Sequence, residues 1–184
     1  GVAKGQIIRE IDALGGMSGI ITDKTMIQFR MLNRSKGYAM WSPRAQSDRW
    51  RFSEEWRLTL ERNTNIDFYQ DSVTNITTTN GKITGVVCGM GITFQSKTVV
   101  LTAGTFLNGL IHIGRKNFGG GRMSEKASTG ITAQLEDLGF TSGRMKTGTP
   151  PRVDGRSLDY AKMEEQPGDE KPSKFSFSSN TQPL

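Results

Sequence analysis

Cysteine and histidine are nearly absent, with one of each in 184 residues. A single Cys cannot close an internal disulfide, which excludes a secreted disulfide scaffold, and one Cys with one His leaves no cluster to hold zinc. Long hydrophobic runs are missing as well. No stretch approaches the ~18 consecutive apolar residues that a membrane helix requires. Near the start, Lys4, Arg9, Glu10 and Asp12 interrupt any apolar run, so no signal peptide is expected. A cytoplasmic location without a membrane partner follows as the expectation. Hydrophobic residues reach 34%, 22 glycines stand beside them, and charged residues of both signs make up 23%. That composition suits a folded chain rather than a disordered one. The length fits one ordinary domain, or one domain and a piece of another.

Positive charge is in excess, at a formal +6, and it is unevenly placed. Residues 30–62 carry eight Lys/Arg against four Asp/Glu, and residues 109–156 carry the same numbers. Two separated basic segments can converge on one phosphate-attracting face, the footprint of a nucleic-acid binder. They can equally be two solvated surfaces, and charge alone does not decide between these.

Ile7, Ile8, Ile11 and Leu14 fall at helical spacing, and Gly15-Gly16 closes that segment. Residues 27–32 read as a short strand with Ile27, Phe29 and Met31 on one face, followed by a polar loop from Asn33 to Gly37. Ser42-Pro43 predicts a helix start, with Ser as N-cap and Pro in the first turn. This helix would run to Glu61 or Arg62, burying Phe52, Trp56 and Leu60. Residues 66–69 form a further short strand by pattern. Val73–Thr78 and Ile83–Cys88 flank Asn80-Gly81, the strongest short-range hairpin signal, and residues 92–94 continue the meander. Thr98-Val99-Val100-Leu101 is continuously apolar, as in a parallel strand buried on both faces, and it runs into Ala103-Gly104. Ser128 is placed to cap a helix carrying Ile131, Leu135 and Leu138, with Gly139 as its stop. Beyond Val153 the chain turns polar and acidic, with Phe175 and Phe177 as isolated anchors, and reads as the start of another domain.

A three-stranded meander followed by a buried strand with a terminal Gly resembles the dinucleotide-binding flavoproteins, in which the meander replaces a crossover helix. Gly at the carboxyl end of a parallel strand lets the backbone approach a ligand in the binding crevice. The fold class expected is therefore α/β. It would be part of an FAD-binding, Rossmann-like domain of the glutathione-reductase type, with an antiparallel β-meander. Residues 1–150 would form that incomplete domain and 151–184 would open an inserted domain or linker. No G-x-G-x-x-G phosphate loop occurs in the right context, because Gly119-Gly120-Gly121 follows no clean strand. A chain that begins after that loop is the simpler explanation.

Six stretches, VAKGQIIREIDALGG (2–16), IQFRMLN (27–33), SPRAQSDR (42–49), TAGTFLNGLIHIG (102–114), GGR (120–122) and GRMKTGTPPR (143–152), point to one family. Together, and in this order, they resemble the GidA family, also called MnmG. This is the large subunit of the enzyme that modifies the wobble uridine of tRNA. The resemblance covers nearly the whole chain. It implies an FAD protein acting with an MnmE-type GTPase, a homodimer when full-length. Methylene-tetrahydrofolate and NADH would be its co-substrates in building a carboxymethylaminomethyl-type group on carbon 5 of uridine 34. The present chain would be an internal fragment, inactive alone and without catalytic residues, since the family's two important cysteines fall outside it.

By the resemblance, Val73 matches a position whose backbone meets the FAD adenine, and Ser128 matches a second FAD-contacting position. Gly104 is the candidate for close approach to the cofactor. Arg44, expected in a first helical turn, resembles an arginine that flavoproteins place near the FAD phosphates. Ordinary structural roles compete at each position: a meander core residue, a plain helix cap, a solvated arginine. Arg144, Lys146 and Arg152 are candidates for contact with the RNA backbone, or else form a basic turn against the sheet. Cys88 has no basic neighbour in sequence and reads as a small buried hydrophobe, and His112 as structural or near the cofactor. Tyr38 departs from the family, which usually has Pro there. Two other readings stay open on the residues alone, a small-molecule flavin oxidoreductase and a non-catalytic RNA-binding module.

Overall fold

A computed structural model describes residues 3–148 and 153–182. The chain divides into two compact units, one from Gly1–Asp67 with Val153–Leu184 and the other from Phe68–Arg152. Compactness thus separates the chain differently from the expected 1–150 and 151–184, because the segment after Val153 belongs with the first 67 residues.

The first unit opens with helices α1 (Lys4–Ala13) and α2 (Ser18–Thr25). Helix α1 ends as expected at Gly15, whose φ of +90° only glycine adopts freely. Its buried face is different from the predicted one. Ile7, Ile11 and Leu14 are exposed, and Gly5 and Asp12 are buried instead. Close packing through small residues explains the switch. A Cβ on Gly5 would overlap the Pro43 carbonyl oxygen, and one on Gly19 would stand 2.5 Å from Asp12 Oδ1.

Strand β1 (Met26–Leu32) pairs antiparallel with β2 (Ser42–Ser47), Phe29 opposite Ala45 and Arg30 opposite Arg44. A register shift between Met26 and Gln28 turns Met26 and Phe29 both inward and leaves Ile27 exposed, which breaks the predicted Ile27/Phe29/Met31 face. Residues 42–47 are therefore strand and not the first turns of a helix. Pro43 is tolerated because β2 has a single partner, and an edge strand does not need every N–H. Helix α3 runs Arg49–Glu61 and is capped by Asp48, whose carboxylate accepts the N–H groups of Trp50 at 2.9 Å and Arg51 at 3.0 Å. Phe52, Trp56 and Leu60 do form its inner stripe, half-buried.

The core joins Met26, Phe29 and Phe175, with the two phenylalanine rings edge to face at 5.9 Å. Phe175 is held there by Asp23, which accepts the N–H of Phe175 at 2.6 Å and of Ser176 at 3.0 Å. Asp12 accepts the Phe177 N–H at 2.7 Å. Phe177 itself is exposed, with the Arg9 guanidinium 4.9 Å above its ring.

In the second unit, β3 (Val73–Thr79), β4 (Lys82–Cys88) and β5 (Thr93–Gln95) form the expected antiparallel meander in the order β3-β4-β5. Asn80 and Gly81 both take positive φ, at 50° and 73°, as the Asn-Gly hairpin requires. Residues 66–69 form no strand, and the Ile66 N–H closes a turn onto the Asn63 carbonyl at 3.2 Å. The predicted parallel strand at 98–101 is likewise unpaired, with Val100 83% exposed. Among the described residues no strand lies beside it, so Val100 and Leu101 stay exposed and only Val99 is half-buried. A second hairpin, β6 (Leu110–Ile113) with β7 (Lys116–Gly119), was hidden in the sequence. Gly119-Gly120-Gly121 therefore does follow a strand, though an antiparallel one. Helix α4 (Ile131–Asp137) begins after Gly130, not at Ser128.

Candidate cofactor site and basic depression

Ser128 does not cap a helix. Its backbone bridges the 105–109 turn: its N–H donates to the Phe106 carbonyl at 2.9 Å, and its carbonyl accepts from Asn108 N–H at 2.8 Å. The side-chain hydroxyl is half-buried and makes no hydrogen bond among the described residues. The turn is held from its other side too. Thr105 Oγ1 donates to the Gly121 carbonyl at 2.8 Å, and Gly120 N–H donates to the Gly109 carbonyl at 2.9 Å. There is no room for larger residues, since a Cβ on Gly109 would stand 2.5 Å from the Thr105 oxygen and 2.6 Å from that of Gly120.

Helix α4 ties this turn to the meander through Gln134, a residue with no signal in the sequence. Its Oε1 accepts the Ile76 N–H at 2.8 Å, and its Nε2 donates to the Thr74 carbonyl at 3.0 Å. One amide thus pairs with the free edge of β3 as another strand would. The clamp places Gly130 close to Thr74, so that Val73 and Ser128 are carried on neighbouring segments. Gly104 has a φ of +57° and open space where a Cβ would lie, so the conformation of its turn requires the glycine and its outer side stays accessible.

What these three residues offer is compatible with contact to part of a dinucleotide. Val73 is the exposed first residue of β3, Ser128 offers an unengaged hydroxyl, and Gly104 an uncovered backbone. Cationic groups that could face phosphates are scarce here. Arg144 donates from Nη1 to the Asn108 carbonyl at 2.8 Å, which makes it a brace for the turn. Lys146 is exposed, and Arg152 lies outside the described residues. Cys88 is buried at the end of β4 as expected, and His112 is exposed on β6 opposite Asn117.

Arg44 is in the other unit, on β2, where no helix N-terminus accompanies it. It lines an open depression of about 460 Å³ with Arg30, Arg34, Gln166 and Asp169. Arg34 Nη2 pairs with Asp169 Oδ2 at 2.8 Å, and Arg30 Nη1 donates to Gln166 Oε1 at 3.3 Å. Arg44 has no partner among the described residues. Neither Arg30 nor Arg34 was singled out from the sequence, although both belong to the basic segment 30–62.

The family model described as "Glucose inhibited division protein A" matches residues 1–183. The chain belongs to the GidA family. A protein of Cytophaga hutchinsonii named tRNA uridine 5-carboxymethylaminomethyl modification enzyme MnmG is 67% identical over all 184 residues, and that of Flavobacterium johnsoniae, of the same name, is 66% identical. The chain covers 30% of each. Among solved structures, Aquifex aeolicus GidA in its form I crystal superposes with a TM-score of 0.87 at 45% identity, over 98% of this chain and 30% of that one. The mixed α/β architecture with its three-stranded meander is thus the GidA architecture of this region. The chain spans about 30% of the length of the relatives it matches. No helix among the described residues is long and apolar enough to cross a membrane.

Proposed function

We propose that this chain is an internal part of an FAD-dependent enzyme that modifies tRNA. The enzyme builds a carboxymethylaminomethyl-type group on carbon 5 of the wobble uridine, together with an MnmE-type GTPase in the cytoplasm. The observation that carries this reading is 67% identity over the full chain to a protein named for that modification. Methylene-tetrahydrofolate would supply the carbon and NADH the reducing equivalents. FAD, when bound, supplies hydride transfer.

The residues of this chain have a binding and positioning task in that scheme. Val73 would meet the adenine through its backbone, Ser128 would contact the cofactor, and Gly104 would allow the chain to pass close to it. Gln134 holds the Val73 and Ser128 segments in register. No phosphate loop of the G-x-G-x-x-G type is present in the sequence, and a helix N-terminus behind such a loop is the usual source of pyrophosphate affinity. The 184-residue chain alone should therefore hold FAD weakly and turn over no substrate.

Nucleoside mass spectrometry of bulk tRNA from cells deleted for the parent gene tests the function. Loss of the carboxymethylaminomethyl-type wobble uridines is the expected result. Unchanged wobble uridines, with no second gene copy, would refute it and favour a flavin enzyme acting on a small molecule.

A further inference from the structure

The depression on the β1–β2 hairpin is built at a cost. Arg30 and Arg44 are directly opposite across the two strands, on the face away from Phe29 and the core. Like charges in that position destabilise a strand pair. Arg34 adds a third guanidinium, and the one carboxylate facing them, Asp169, is already engaged by Arg34 and by the Met31 N–H at 2.9 Å. Arg44 keeps all its donors, and Arg30 gives one to a neutral amide.

Beside the guanidiniums is an aromatic pair. Tyr38 is 83% exposed and its ring packs on Trp41 at 4.4 Å. Trp41 is fixed from two sides, donating its Nε1–H to the Arg34 carbonyl at 3.2 Å and accepting from Gln6 Nε2 at its own carbonyl, also at 3.2 Å. The Arg34 guanidinium is 5.9 Å from the centre of the Trp41 ring, so the residue that lines the depression also borders the aromatic pair.

Uncompensated guanidiniums that can fork onto phosphate oxygens, next to an exposed ring on a rigid support, are the combination that binds single-stranded nucleic acid. The geometry points to a second, cofactor-independent site here: Arg30 and Arg44 bind a phosphodiester of single-stranded RNA, and Tyr38 stacks on an adjoining base. This rests on the proposed tRNA substrate and assigns part of its binding to this hairpin. Bound phosphate would relieve the Arg30–Arg44 repulsion, so the strained pairing serves the ligand.

The test uses the full-length parent protein and an unmodified tRNA transcript with uridine at the wobble position. Affinity is measured over a range of salt for the wild type, Arg30→Gln/Arg44→Gln, Tyr38→Ala and Tyr38→Phe. The double variant should bind at least about tenfold more weakly, with the logarithmic salt slope reduced by roughly one to two. Tyr38→Ala should lose about fivefold or more while Tyr38→Phe retains binding, because only the ring face is used. Flavin absorbance should be unchanged in all variants. Unaltered affinity and slope in the double variant would overturn the proposal. So would loss of flavin with tRNA binding intact, which would make the depression a dinucleotide phosphate site. A wild-type protein that binds no tRNA would refute the functional reading itself, an outcome separate from either of these.

Discussion

Replacing Asp23 by Ala should detach the 175–177 segment from the helices it covers. The carboxylate is only 8% exposed and accepts two N–H groups, from Phe175 at 2.6 Å and Ser176 at 3.0 Å. Those residues are 4% and 2% exposed, so water cannot replace the lost acceptor without opening the site. Hydrogen bonds to a charged group contribute roughly 1.5–3 kcal/mol each. Two on one carboxylate are not independent, and about 3 kcal/mol for the pair is the reasonable expectation. Because opening here is local, the readout is amide hydrogen exchange at Phe175 and Ser176, which should accelerate about 100-fold. Asp23→Asn keeps one acceptor oxygen and turns an amide N–H₂ toward the other donor, so it should show a large part of the same loss. Asp12→Ala removes a single acceptor, that of the exposed Phe177, and should change exchange at Phe177 by only about tenfold. Acceleration below about fivefold at both Phe175 and Ser176 in Asp23→Ala would refute the reasoning, and the segment would then be held by the Phe29–Phe175 contact.

Asp48→Ala should cost about 1 kcal/mol through loss of the α3 N-cap, seen as faster exchange at Trp50 and Arg51 without change in β3–β5. Gln134→Ala should loosen the edge of β3 and lower flavin retention in the full-length protein, whereas Gln134→Glu still accepts from Ile76 N–H but cannot donate to the Thr74 carbonyl, so its loss should be intermediate; flavin content after gel filtration ranks the three. The Arg156 side chain and N–H hold the Asp154 carboxyl below its ordinary value. A depressed carboxyl stabilises the turn at Gly155–Ser157 fully above the usual carboxylate range, and that stabilisation is lost as pH falls through the depressed value; carbon NMR titration of Asp154 in the wild type and in Arg156→Gln should show the shift reduced, with the part due to the Arg156 N–H retained.

How much could be read in advance depended on whether local signals or distant partners decide. The Asn80-Gly81 hairpin was legible because its turn chemistry acts over four residues, and the buried Cys88 followed from the strand that carries it. Ser42-Pro43 misled because cap residues announce a helix only when the segment lacks a better hydrogen-bond partner, and β1 supplies one. The apolar run at 98–101 misled for the opposite reason, since its pattern presumes neighbouring strands that the described residues do not contain. Val73 and Ser128 came from the resemblance to the family and Gly104 from its place after an apolar run; Ser128 caps no helix because α4 begins after Gly130, and Gly104 ends no strand because residues 98–101 are unpaired. Gln134 and the Arg30–Arg44 pairing depend on register between elements, which no single stretch of sequence encodes.

The closure of the first unit through Asp12 and Asp23 has a consequence for synthesis. These carboxylates bind amides 152 to 165 positions further along the chain. A ribosome adding about 5–20 residues per second needs roughly 8–30 s to cover that distance. Throughout that interval Met26 and Phe29 are without Phe175, the partner that completes their cluster. Closing a loop of this length then costs about 4 kcal/mol in chain entropy before any contact forms. Residues 68–148 emerge during the wait and can condense on their own local hairpins, so the unit begun earlier is completed after the one that follows it.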